Sequence, residues 1–122
     1  MGERPVLLVV DDEELILELL TDVLQDEFTV VTATNGRAAL EALQSLSTVS
    51  GVITDLRMPL MDGAELIKLI RRSYPDLPIL GLSGTYEYRR GDAASEGFLF
   101  LRKPFLTGDL LSAARLLFQP KA

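Results

Sequence analysis

Apolar residues along the chain follow two alternating patterns. Short continuous apolar runs are typical of strands buried on both faces of a sheet, and apolar residues recurring every three or four positions are typical of helices. The runs predict strands at Pro5–Val10, Phe28–Ala33, Val49–Thr54, Pro78–Leu82 and Phe98–Leu101. The periodic segments predict helices at Glu14–Gln25, Arg37–Leu46, Ala64–Arg72 and Thr107–Phe118, with Thr107 as the N-cap of the last.

A further helix is predicted between the fourth and fifth strands. The segment Tyr86–Glu96 contains few apolar residues, and Gly91 in its middle costs about 1 kcal/mol relative to alanine in a helix. We expect this helix to be short. Regular alternation of strands and helices predicts an α/β fold in which a five-stranded parallel sheet lies between two layers of helices. Residues 1–122 are predicted to form a single domain of this three-layer type, with five helices.

Polar residues follow the predicted strands at the edge where open parallel sheets bind ligands. Asp11 and Asp12 follow the first strand, Asp55 the third, Ser83 the fourth and Lys103 the fifth. Clustered carboxylates repel one another unless a cation lies among them, and Mg²⁺ accepts such ligands together with phosphoryl oxygens. An aspartate can also accept a phosphoryl group. The pattern predicts a Mg²⁺ site at which an aspartate could accept a phosphoryl group, with Lys103 cancelling part of the phosphoryl charge and the Ser83 hydroxyl donating a hydrogen bond to it.

Each of these residues also has a simpler interpretation. Asp11 and Asp12 are typical of a helix N-terminus, where negative charge is favourable. Asp55 and Ser83 could be turn residues, and Lys103 could be a solvated charge. The functional hypothesis depends on all of them occurring together at the predicted strand ends.

Composition narrows the possible chemistry. The chain has 122 residues, no cysteine and no histidine, which excludes thiolate nucleophiles, disulfides and histidine-ligated metals. The formal net charge is −6, which argues against direct binding of nucleic acid. No segment is apolar enough to span a membrane, and we expect a cytoplasmic location.

Four segments resemble the motifs of response-regulator receiver domains from two-component signalling. They are residues 6–13 (VLLVVDDE), 54–63 (TDLRMPLMDG), 82–84 (LSG) and 102–105 (RKPF). The resemblance covers essentially the whole chain, and the second segment is highly specific. It implies a flavodoxin-like fold with strand order 2-1-3-4-5.

The resemblance also implies a role for each site residue. Asp55 would accept the phosphoryl group from a phosphohistidine of a sensor histidine kinase or a histidine phosphotransfer protein. Mg²⁺ would be bound directly by Asp12 and mostly through water by Asp11, with Asp55 and the backbone carbonyl of Arg57 as further ligands. Lys103 would pair with the phosphoryl group.

A switch is implied as well. Ser83 and Phe100 would be the switch residues, and the Lys103–Pro104 peptide bond would be cis. The surface that changes on phosphorylation would be formed by Tyr86–Glu96, the fifth strand and the last helix, and phosphorylation could promote dimerisation.

Two other functions remain as alternatives. A Mg²⁺-dependent aspartyl-phosphate phosphatase would need a second aspartate two residues after the nucleophile, where Arg57 stands. A pseudo-receiver, a binding module without phosphorylation, should lack an acidic or lysine position, and none is missing. We therefore expect a signalling domain rather than an enzyme, either free-standing or part of a hybrid kinase or longer regulator.

Overall fold

The computed structural model describes residues 4–58, 63–84 and 98–118, in which five parallel strands form one sheet. The strands are β1 (Val6–Val10), β2 (Thr29–Ala33), β3 (Val49–Asp55), β4 (Ile79–Ser83) and β5 (Leu99–Arg102). The helices of these ranges are α1 (Glu14–Leu24), α2 (Gly36–Ser45), α3 (Gly63–Ser73) and α4 (Thr107–Leu116). Every observed bound lies within two residues of its predicted position. The helix predicted over Tyr86–Glu96 lies outside the described residues.

The strand order is β2-β1-β3-β4-β5, which confirms the predicted order. All neighbouring strands are parallel. The register pairs Val10 with Thr54 and Asp55 with Leu82, and it pairs Ser83 with Arg102. The carboxyl ends of four strands are therefore level at one edge of the sheet, where the candidate site residues lie.

Helices cover both faces of the sheet because strand side chains alternate between the faces. Leu7 and Val9 pack with α1 and α4, whereas Leu8 and Val10 pack with α2 and α3. The side chains of the inner strands β1, β3 and β4 are almost all buried, which explains their continuous apolar sequences. The edge strands β2 and β5 are more exposed. Within the described ranges, each helix is too short or too polar to cross a membrane.

The N-terminal end of α4 differs from the prediction. The N-cap is Leu106, which is extended, and Thr107 is already the first helical residue, so the prediction of Thr107 as the N-cap was wrong. The backbone N–H of Leu106 donates to Asp109 Oδ2 at 3.0 Å. A carboxylate three residues inside the helix thus bonds back to the N-cap backbone, and Asp109 also places negative charge in the first turn.

Candidate functional site

Three aspartates meet at the carboxyl edge of the sheet. Asp11 directly follows β1, Asp55 is the last residue of β3, and Asp12 lies beside Asp11. One carboxylate oxygen from each residue lies within 4.8 Å of the others. The structure therefore brings together the three carboxylates that the sequence predicts as metal ligands.

Asp11 is buried although it carries a carboxylate. Its side chain is 1% exposed, and its Oδ1 atom accepts the backbone N–H of Glu13 at 2.9 Å. Its Oδ2 atom is buried without a hydrogen-bond partner among the described residues. Burial raises the pKa of Asp11 above its usual value, and the charges of Asp55 and Asp12 raise the pKa further, against the opposing effects of the Glu13 N–H and Lys103.

The acidic pair does not cap the helix that follows it. The N-cap of α1 is Glu13, and no side chain caps it. Asp11 instead bonds the backbone two residues on, in an Asx-type turn. This arrangement leaves Asp11 Oδ2 available to a ligand, so the simpler interpretation as a helix cap does not describe Asp11.

Asp55 is held between two partners. Its Oδ1 atom accepts the backbone N–H of Arg57 at 3.1 Å, and its Oδ2 atom lies 3.4 Å from Lys103 Nζ. The side chain of Asp55 is largely buried, whereas that of Lys103 is one-third exposed. The carboxylate is thus bonded to the backbone on one side and faces the partly exposed ammonium group of Lys103 on the other.

The position of Lys103 follows from the strand pairing. Its backbone N–H donates to the carbonyl of Ser83 at 2.8 Å, which extends the β4–β5 ladder by one residue. The Lys103–Pro104 peptide bond is cis. The side chain of Ser83 is fully buried at the end of β4, next to the strand that carries Asp55.

Phe100 lies farther from the carboxylates. It is half-buried in β5, stands opposite Gly81 in the β4–β5 register, and packs against the core beneath α2 and α3. The switch roles of Phe100 and Ser83, and metal ligation by the carbonyl of Arg57, remain predictions.

Sequence reasoning missed the role of Gly63. A Cβ atom on Gly63 would lie 2.3 Å from the backbone oxygen of Asp55 and 2.6 Å from Cα of Leu56. The N–H of Gly63 donates to the carbonyl of Leu56 at 3.2 Å. The first residue of α3 therefore packs directly on the backbone that carries Asp55, whereas the sequence shows only an Asp-Gly pair typical of a turn.

The donor set is chemically suited to a hard divalent cation. All side-chain donors are carboxylate oxygens, one of them buried and unsatisfied by the described residues. A cation there would offset the mutual repulsion of the aspartates and the cost of burying Asp11. The residues present therefore fit a Mg²⁺ ion.

Comparison with protein families gives a match over nearly the whole chain. The family model described as "Response regulator receiver domain" matches residues 7–115. The chain is 36% identical over 122 residues to the alkaline phosphatase synthesis transcriptional regulatory protein SphR of Synechococcus elongatus, covering 91% of this chain and 48% of that protein. It is 32% identical over 117 residues to the sensor kinase CckA of Brucella abortus, covering 93% of this chain and 12% of that protein. The chain thus spans less than half the length of either relative.

Solved structures show the same architecture. The chemotaxis protein CheY4 of Vibrio cholerae superimposes with a TM-score of 0.85 at 31% identity, covering 95% of this chain and all of the other. A response regulator receiver domain protein from Clostridium thermocellum also gives a TM-score of 0.85, at 29% identity and 93% coverage of both chains.

Proposed function

Because the chain belongs to the response regulator receiver domain family, we propose that it is a phosphorylation switch with Asp55 as the phosphoacceptor. The observation that carries this assignment is the position of the Asp55 carboxylate, which lies beside Asp11 and Asp12 with Oδ2 3.4 Å from Lys103 Nζ. A nucleophilic carboxylate, a group of oxygen ligands and a cation at one strand edge are what phosphoryl transfer to aspartate requires.

The chemistry at Asp55 is a displacement at phosphorus. A carboxylate oxygen of Asp55 forms the new P–O bond, the P–N bond to the imidazole of the donor breaks, and the electron pair of that bond stays with the ring nitrogen. The Lys103 ammonium offsets charge on the phosphoryl oxygens. The Ser83 hydroxyl donates a hydrogen bond to the phosphoryl group once its side chain has turned toward the site.

Mg²⁺ is the metal that this site would hold. Its ligands would be the carboxylates of Asp11, Asp12 and Asp55 and the backbone carbonyl of Arg57. When bound, the ion supplies positive charge that offsets the carboxylates and the phosphoryl oxygens. Members of the family generally bind Mg²⁺ through acidic residues, and the buried Oδ2 atom of Asp11 supports such a site here.

The phosphodonor is a sensor histidine kinase or a histidine phosphotransfer protein in the cytoplasm. The similarity to both a sensor kinase and a transcriptional regulator is compatible with a free-standing domain or with part of a longer protein. The domain acts in signalling and catalyses only its own phosphorylation and dephosphorylation. Its net charge of −6 argues against direct contact of this domain with nucleic acid.

The output surface is proposed to include β5 and α4, together with the segment Tyr86–Glu96. Lys103 and Ser83 share a backbone hydrogen bond, so movement of Ser83 toward a phosphoryl group acts at the β4–β5 junction. Phe100 is half-buried on the neighbouring strand and can repack as the junction changes. Phosphorylation would shift the populations of two arrangements of this surface, with dimerisation as one outcome.

Phosphorylation by a small donor tests the assignment. The isolated chain is incubated with acetyl phosphate and Mg²⁺, and its mass is then measured by intact-protein mass spectrometry. We expect one added phosphoryl group in the wild type and none in Asp55→Asn. Amide NMR of the same sample is expected to show shifts at Phe100 and in α4 as well as around Asp55.

The control is Asp26→Asn, which removes an exposed carboxylate outside the site and should label like the wild type. Equal labelling of wild type and Asp55→Asn would contradict the assignment. Absence of labelling in the wild type at saturating Mg²⁺ and donor would favour the pseudo-receiver alternative. Shifts confined to the loops at Asp11, Asp55 and Lys103 would contradict the proposed output surface.

A further inference from the structure

Thr54 is a polar residue inside an apolar core. Its side chain is fully buried at the next-to-last position of β3, directly before Asp55. Val52, two positions earlier on the same strand, and Val10, the partner of Thr54 on β1, both belong to the core beneath α2 and α3. Because strand side chains alternate between the faces of a sheet, Thr54 places a hydroxyl in that core, where a polar group is costly unless it forms a hydrogen bond.

The Thr54 hydroxyl bonds the backbone of the residue that follows it. Its Oγ1 atom donates to the carbonyl oxygen of Asp55 at 3.0 Å. The register between β1 and β3 ends at the pair of Val10 and Thr54, one residue before Asp55. The hydroxyl thus holds a carbonyl group that lies beyond the last pair of that ladder. Hydrogen bonds of this kind, from a threonine side chain to a nearby backbone group, bias the local backbone conformation.

The same carbonyl group is confined on a second side. The start of α3 packs on it so closely that a Cβ atom on Gly63 would overlap the oxygen. The orientation of this peptide group sets the path of the backbone that follows, and two residues later the N–H of Arg57 donates to Asp55 Oδ1. A rotation of the Asp55 carbonyl would therefore move the N–H group that holds the Asp55 carboxylate.

We propose that Thr54 is a positioning residue, whose hydroxyl fixes the peptide group that directs the Asp55 carboxylate toward an incoming phosphoryl group. The proposal rests on the phosphoacceptor role proposed for Asp55. Thr54 faces the core beneath α2 and α3 and acts through the backbone. Because phosphoryl transfer depends on the alignment of the attacking oxygen, a small displacement of the carboxylate slows the reaction while the fold stays intact.

The rate of phosphorylation by acetyl phosphate tests this role. Thr54→Val keeps the size of the side chain and removes the hydroxyl, whereas Thr54→Ser keeps the hydroxyl and removes the methyl group. Intact-protein mass spectrometry at fixed concentrations of Mg²⁺ and donor gives the rate constant of labelling. We expect Thr54→Val to be labelled roughly threefold more slowly than the wild type, or slower still, and Thr54→Ser to stay within about 1.5-fold of it.

Two further measurements separate positioning from packing. Val52→Ala removes buried atoms from the same strand, so it should lower the urea midpoint of unfolding but leave the labelling rate within about 1.5-fold of the wild type. NMR of the metal-free protein without donor reports the hydrogen bond itself. The ¹³C signal of the Asp55 carbonyl should move upfield in Thr54→Val, because the oxygen loses a donor, and should stay close to its wild-type position in Thr54→Ser.

Three outcomes would overturn the positioning role and leave the phosphoacceptor assignment standing. The first is equal labelling of the wild type and Thr54→Val. The second is equally slow labelling of Thr54→Val and Thr54→Ser, which would assign the effect to packing rather than to the hydroxyl. The third is an unchanged carbonyl signal of Asp55 in Thr54→Val. Absence of labelling in the wild type would instead overturn the phosphoacceptor assignment, and the positioning role with it.

Discussion

Gly63 shows how one hydrogen atom in place of a side chain allows a helix to pack on the backbone of Asp55, the proposed phosphoacceptor. The start of α3 approaches the Asp55–Leu56 backbone so closely that a Cβ atom would overlap it. The contact joins residues from separate elements. Sequence periodicity could not reveal it, because the pattern around Gly63 indicates only where a helix begins.

Gly63→Ala is expected to lower the free energy of unfolding by roughly 2 kcal/mol or more and to slow labelling of Asp55, because the backbone carrying Asp55 must shift. Urea unfolding and acetyl phosphate labelling measure the two effects. Gly108→Ala is the matched control: a Cβ there has no neighbour within 4 Å, and alanine suits a helix better than glycine. Similar behaviour of the two variants would show that the Gly63 contact has no such role.

Asp11 is expected to destabilise the metal-free domain. Its raised pKa means that keeping the carboxylate ionised in the folded state costs free energy at neutral pH. Asp11→Asn removes that charge and places an amide beside Asp12 and Asp55. We expect the variant to be more stable than the wild type by about 1 kcal/mol in EDTA, as measured by thermal unfolding at pH 7.

Magnesium should reverse this order of stability between the wild type and Asp11→Asn. A ligand that binds only the folded state raises stability, so excess Mg²⁺ should stabilise the wild type more than Asp11→Asn. NaCl at matched ionic strength controls for general screening of the net charge. Equal stabilisation of both proteins by Mg²⁺ would argue against Asp11 as part of the metal site.

At the scale of the elements, periodicity located the strands and helices well but described their ends less well. The Oδ1 atom of Asn35 accepts the N–H of Ala38 at 2.7 Å and caps α2, which the helical period predicted from Arg37 onward does not indicate. Thr107 was predicted to be an N-cap, but Leu106 has that position. Whether a residue is the N-cap depends on its own backbone angles. A sequence pattern locates the end of a helix only to within one or two positions, so it does not identify the cap.

One ion pair connects two elements that are distant in sequence. The Arg115 guanidinium in α4 donates to both carboxylate oxygens of Glu27, which follows α1, at 2.9 and 2.7 Å. The rings of Phe28 and Phe118 lie 5.6 Å apart at the same junction. The bidentate hydrogen bond and charge of Arg115 lower the pKa of Glu27.

This pair predicts a pH dependence. The pKa of Glu27 is lower in the folded state than in the unfolded state. The contribution of the ion pair to folding stability is therefore complete above the unfolded pKa of about 4.3, and it is lost as pH falls through the folded pKa. Glu27→Gln should therefore lower Tm by roughly 1–3 °C at pH 7, and the difference should vanish in acid. Glu41→Gln, which breaks an exposed pair of 3.6 Å within α2, should change Tm less. An equal loss of Tm at pH 7 and in acid would refute the prediction.

For the whole molecule, sequence alternation predicted the parallel sheet, and the family resemblance supplied its strand order. Polar residues at strand ends predicted that Asp11, Asp12, Asp55 and Lys103 would meet, because parallel strands end at one edge. The close approach of Gly63 in α3 to the backbone of Asp55 could not be predicted in this way. It depends on how a helix packs on the end of a strand in three dimensions, which leaves no periodic pattern in the sequence.

The way Asp55 meets Lys103 has a consequence for folding. The two residues are 48 positions apart, and Asp11 follows yet another strand, β1. Contacts of such long range form only after large loops have closed, so they slow folding and come late in it. The site therefore exists only when β1, β3 and the chain after β5 are in place together. A nascent or partly folded chain therefore lacks the assembled group of carboxylates and Lys103 on which the proposed phosphorylation of Asp55 depends.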